Sequence, residues 1–202
     1  MTRTQAAFYF DLASPLAYLA AERVLHELPG PAEWRPISMG EQHGVQRAEI
    51  ERRAREIELQ PLRWPEPFPF DSSLAMRVAT YAASIGRTVP FAQAAFRQAF
   101  AGGHSLEEED YVLIAAAACE MHPTAVLRGA AMRSTMHRLA AATAEAAGAG
   151  VSEVPAIVVG EHVFAGEGLL ERAAAQMRSV ANEATVDGAF ELTVRQPGPR
   201  SA

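Results

Sequence analysis

The clearest sheet-forming sequence lies in two well-separated regions of this 202-residue chain, and a long helical stretch lies between them. Near the beginning, Ala6-Ala7-Phe8-Tyr9-Phe10-Asp11 is the short aromatic-rich run of a buried strand. Ser14-Pro15 then opens a helix, because serine is a preferred N-cap and proline is preorganised for the first helical position. Leu16, Leu19, Ala20 and Val24 form its apolar stripe, and Leu28-Pro29-Gly30 ends it. Residues 33–39 read as a second strand, whose Pro36 suits an edge or a bulge. Two strands joined by a helical crossover favour a parallel pair.

From Val45 to Gly148 the pattern is helical, with Ile50, Ala54 and Ile57 in one segment and Leu74, Val78, Ala79, Ala82 and Ile85 in the next. Pro61, Pro65, Pro67 and Pro69 separate the two, and Asp71 or Ser72 caps the second. Further helices are predicted over Phe91–Phe100, Glu107–Cys119 and Gly129–Ala147; the acids at 107–110 suit a helix N-terminus. Sheet character returns at Pro155–Val159, turns at Gly160-Glu161 and continues through His162-Val163-Phe164, which makes a hairpin. A closing helix is predicted over Leu169–Val180. Phe190–Val194 is a candidate strand before a Pro/Gly-rich tail.

Composition limits the functions open to such a chain. With 49% hydrophobic and 21% charged residues it has ample apolar surface to bury and does not read as disordered. All 18 basic residues are arginine, and the net charge of -6 lacks the electrostatic footprint of a nucleic-acid binder. Alanine, about a fifth of the residues, favours helix. Cys119 is the single cysteine, so no intramolecular disulfide, CxxC redox pair or cysteine zinc site can form. The six histidines show no metal-ligand spacing, and no metal is expected. No apolar run reaches membrane-span length and the first residues show no leader pattern, so a cytoplasmic protein without a membrane partner is expected.

The order strand, helix, strand, helical block, hairpin, helix is that of a thioredoxin fold with a large all-helical insertion, an α/β architecture. Residues 1–40 and 150–182 would form the thioredoxin-like part, residues 41–149 the insertion and residues 183–202 a tail. Phe8-Tyr9-Phe10-Asp11-Leu12-Ala13-Ser14-Pro15-Leu16-Ala17-Tyr18 resembles the opening of the 2-hydroxychromene-2-carboxylate isomerase and kappa-class glutathione transferase branch of the DsbA-like superfamily. Arg35–Gly40, Leu62–Ser72 and Val154–Val159 with Phe164-Ala165-Gly166 resemble its second strand, proline-rich segment and cis-proline hairpin.

The resemblance places Ser14-Pro15-Leu16-Ala17 where redox members carry Cys-x-x-Cys. Without sulfur at either end, thiol–disulfide exchange is excluded there. A hydroxyl at a helix N-terminus instead suits a thiolate brought in by a ligand such as glutathione. A charged hydrogen bond contributes about 1.5–3 kcal/mol and the helix dipole about 0.3–1 kcal/mol, enough to lower a thiol pKa by roughly one to three. Such a sulfur can add to an activated double bond and leave again, which isomerises it, or stay attached, which conjugates it. Ser14 is the expected catalytic residue, although Ser-Pro is equally a plain cap and first turn.

Val154-Pro155 would be cis and, with Pro15, would hold the glutathione backbone in strand fashion. Trp64 and Asp71 would shape the pocket of an apolar or aromatic small-molecule substrate. The family's acid at the amino-acid end of glutathione falls on Gly168, with Glu167 one place earlier as a substitute. Asp71 stands where the family often has Asn, Glu153 where it usually has a small or apolar residue, and 41–44 form a short segment where it contributes to the substrate pocket. The resemblance also implies a homodimer. The competing expectation is a non-catalytic thioredoxin-like binding protein that has lost its redox pair.

Overall fold

The computed structural model describes residues 5–40 and 46–194, with side chains described through residue 182. The segment 41–44 and the tail from residue 195 fall outside the described residues. Strand β1 (Ala6–Phe10) leads into helix α1 (Pro15–Glu27) and strand β2 (Ala32–Pro36). Six helices follow: α2 (Arg47–Glu56), α3 (Ser73–Ser84), α4 (Thr88–Phe100), α5 (Glu109–Ala117), α6 (Pro123–Ala131) and α7 (Arg133–Gly148). Strands β3 (Ala156–Val159) and β4 (His162–Ala165) form the hairpin, and α8 (Leu169–Val194) closes the chain.

The sheet order is β2-β1-β3-β4, with β1 parallel to β2 and antiparallel to β3. β1 is therefore interior and β2 lies at an edge, where Pro36 costs no interior ladder bond. Phe8 sits opposite Trp34 on one side and Ile157 on the other, while Ile157 pairs with Phe164 across the hairpin.

Alternation along β1 divides the core between two faces. Ala6, Phe8 and Phe10 join α1, α8 and the helical block in one cluster, where Phe10, Tyr18, Phe96 and Phe100 form an aromatic chain. Ala7 and Tyr9 point to the opposite face and pack with Ile37, Ala156 and Ala146 of α7. Both faces of β1 are covered, which is why its sequence is apolar throughout rather than alternating.

Two expectations are corrected. The predicted Gly129–Ala147 helix is two helices, because the chain turns at Met132 (φ -67°, ψ 134°), and the first of them begins at Pro123. An apolar period that continues across such a turn cannot reveal it. The candidate strand at Phe190–Val194 is helix, the far end of α8.

Gly129 of α6 lies close against Tyr81 of α3. A Cβ there would lie 2.3 Å from the Tyr81 ring, near its root rather than at a free end. Replacing a helical glycine by alanine ordinarily gains about 1 kcal/mol in propensity, whereas overpacking costs roughly 1–3 kcal/mol. Gly129→Ala should therefore destabilise the protein in urea unfolding, with a drop in midpoint. An equal or higher midpoint would show that the helices separate freely.

Candidate functional site

The two sheet-forming regions meet at Ser14. Its backbone is extended (φ -91°, ψ 113°), and its Oγ accepts the Ala17 amide at 3.2 Å as the N-cap of α1. The same hydroxyl donates to the Val154 carbonyl at 3.4 Å, across 140 residues of sequence. Ser14 is 1% exposed, and Pro15 is buried as the first residue of the helix. The Val154-Pro155 bond is cis, as are Glu66-Pro67 and Phe68-Pro69.

Asp11, fully buried, organises the backbone around this point. Its Oδ1 accepts the Ala13 amide at 3.0 Å and the Ser72 hydroxyl at 2.8 Å, and its Oδ2 accepts the Met39 amide at 2.9 Å. One carboxylate thus ties the turn before α1, the exit of β2 and the N-cap of α3 together. Burial pushes the Asp11 carboxyl up from its ordinary 3.8, against the lowering effect of its hydrogen bonds.

Beside Val154 and Pro155 lies a cavity of about 370 Å³. Its apolar wall comes from Leu16, Leu19 and Ala20 of α1 with Ile57, which follows α2. Its opposite rim is the loop Gly166-Glu167-Gly168 and the first residues of α8. Arg23, Arg52 and Arg53 also line it, each already engaged. Arg23 pairs with Glu27 at 2.5 Å and Glu171 at 2.8 Å, Arg52 with Glu49 at 2.7 Å and with Glu56, and Arg53 with Glu49 at 2.7 Å. Hydrogen bonds from Arg52 and Arg53 hold the Glu49 carboxyl down to about 2. Glu153 and Glu167, on the same cavity, have no ion pair among the described residues.

Of the expected site residues, Val154, Pro155 and Glu167 come together on this cavity. Ser14 touches Val154 but does not line the cavity, nor does Pro15. Trp64 lies elsewhere: it packs edge-on against Phe68 and Phe100, donates its Nε1–H to Glu51 at 2.8 Å and lies under the Arg47 guanidinium. Asp71 is exposed and accepts the Ser73 amide at 2.8 Å; hydrogen bonding from Ser73 holds its carboxyl below the ordinary value.

Sequence reasoning missed the arginines of α2, whose charge spacing reads as a solvated helix face. It missed Asp11 as well, although an aspartate two residues before a backbone N–H is a known turn-forming signal. Cys119 is buried, its thiol pushed up by desolvation and donating to the Ala115 carbonyl at 3.3 Å.

The family model described as "DSBA-like thioredoxin domain" matches residues 5–178. Among solved structures, a 2-hydroxychromene-2-carboxylate isomerase superposes with a TM-score of 0.74 at 17% identity, covering 90% of this chain and 98% of that one. A probable DsbA oxidoreductase from Streptomyces coelicolor gives 0.72 at 16% identity, covering 98% and 93%. A cytosolic disulfide reductase, DsbM from Pseudomonas aeruginosa, solved with GSH, gives 0.63 at 11% identity, covering 93% and 99%. At such identities the likeness establishes the fold alone. None of the curated proteins matches the chain by sequence.

Removing the Asp11 carboxylate leaves two amides and a hydroxyl without their acceptor. Asp11→Ala is expected to cost about 3 kcal/mol in urea unfolding. Because folding raises the Asp11 pKa, the native state keeps its proton longer than the unfolded chain, so wild type should lose stability relative to Asp11→Asn as pH rises from 3.8 through the folded value. A difference that does not vary with pH would contradict this.

Proposed function

The chain belongs to the DSBA-like thioredoxin domain family, and from that footing we propose a glutathione-dependent isomerase or transferase of the 2-hydroxychromene-2-carboxylate isomerase type, acting on an apolar or aromatic electrophile. The observation that carries this reading is the cavity bounded by Val154-Pro155, the loop 166–168 and the start of α8. Its size lies within the roughly 300–1,000 Å³ of small-molecule sites. Its lining offers what a peptide-like thiol requires: a chain segment at the start of a strand, Glu167 for an ammonium, and arginines that a ligand carboxylate would reach by displacing their present glutamate partners. The P. aeruginosa reductase solved with GSH supports the choice of ligand class.

Bound glutathione would supply a sulfur nucleophile for addition to an activated double bond. The chain's own part is to orient it and to keep the sulfur ionised. Val154 holds an extended ligand by its backbone. A ligand amide that takes the Val154 carbonyl competes with the Ser14 hydroxyl for that acceptor, whose present bond at 3.4 Å is long and weak. Once released, the hydroxyl remains at the N-terminus of α1 and donates to the anionic sulfur. Trp64 acts at a distance, through Glu51 and Arg47, by holding α2 in place as the wall that carries Arg52 and Arg53. Cytoplasmic residence fits this reading, since thiols are kept reduced there.

The burial of Ser14 and the glycine at 168 favour a second reading, a non-catalytic binder that keeps the groove. Calorimetric titration with reduced glutathione, with the ultraviolet thiolate absorption followed in parallel, separates the two. On the enzymatic reading wild type binds with a thiolate band, and Ser14→Ala abolishes the band and weakens binding by about tenfold. Binding without a band, unchanged in Ser14→Ala, selects the binder. No binding at millimolar ligand ends the glutathione reading.

A further inference from the structure

The loop that carries Glu167 is flanked by Gly166 (φ +72°) and Gly168 (φ +65°), both in the left-handed region that glycine enters without cost. With glycine on both sides, Glu167 has no neighbouring side chain in the loop to help fix its position. The restraint comes from α8. Arg172, one turn into that helix, folds its guanidinium back over the loop. Its Nη2 donates to the Ala165 carbonyl and to the Glu167 carbonyl at 3.0 Å, and its Nε donates to the Gly168 carbonyl at 3.3 Å. The same guanidinium lies 6.0 Å from the centre of the Phe164 ring. The carbonyls of Ala165, Glu167 and Gly168 are thus collected by one planar group, and Gly166, Glu167 and Gly168 form part of the rim of the cavity.

We propose that Arg172 is a positioning residue for ligand specificity: by clamping the loop 165–168 it holds Glu167 where it meets the ammonium of a bound amino-acid-like ligand. This rests on the glutathione reading above and extends it to a residue that touches no ligand. The planar fork matters, because one guanidinium reaches three carbonyls whereas an ammonium is a point donor on a flexible stem. The clamp also answers the glycine at 168: with the acid one place earlier, on a loop between two glycines, an external restraint must do what a side chain at 168 cannot.

The test is calorimetric titration with reduced glutathione and with its analogue lacking the α-amino group, on wild type, Arg172→Met, Arg172→Lys, Glu167→Gln and the double variant Arg172→Met with Glu167→Gln. Arg172 is exposed, and melting curves of each variant establish that it folds. Arg172→Met should weaken glutathione binding about tenfold while changing binding of the deamino analogue by less than about twofold, because only the former has a charged hydrogen bond to lose. Arg172→Lys should behave like Arg172→Met, and the loss should vanish in the Glu167→Gln background. If wild type binds glutathione and Arg172→Met binds it equally well, or loses both ligands alike, the proposal is overturned and the glutathione reading stands. If wild type binds neither ligand, the glutathione reading fails and this proposal goes with it.

Discussion

The position of β1 between β2 and β3 governs the rest of this structure. A strand with neighbours on both sides and covered faces above and below must find its second partner from the far end of the chain. Six helices, α2 to α7, intervene before β3 returns antiparallel to β1. That return brings Val154 to the N-terminus of α1, and the hydroxyl of Ser14 meets it there. The candidate site is a consequence of strand order.

Polar groups at this junction are few and fully used. Asp11 accepts three hydrogen bonds from three different segments, and the Ser14 hydroxyl both accepts and donates. Burying a carboxylate is costly, which is why its pKa rises, but leaving its three donors unpaired would cost more. The arrangement fixes the start of α1 against β2 and α3. The rim of the cavity next to this junction contains two left-handed glycines and is tied to α8 by the hydrogen bonds of Arg172.

Several of these features were legible in the residues. The apolar β1, the Ser14-Pro15 start of α1, the Pro-led β3 and the Gly160-Glu161 turn each carry local signals that tertiary packing reinforced. The break at Met132 was not legible, because the apolar period runs on through it while the backbone turns. Trp64 illustrates the opposite failure: an aromatic beside prolines looks like pocket lining, yet its neighbours are Phe68, Phe100, Glu51 and Arg47.

Sequence by itself determined the order of the four sheet strands and the first helix, the absence of a dithiol and the serine cap of that helix, since each depends on residue type and on neighbours a few positions away. Tertiary structure alone decided that the hydroxyl of Ser14 is buried against Val154, that Asp11 joins three segments, and that arginines of α1 and α2 border one cavity. Those facts depend on groups tens to more than a hundred positions apart, and no local propensity records where a distant carbonyl will come to rest.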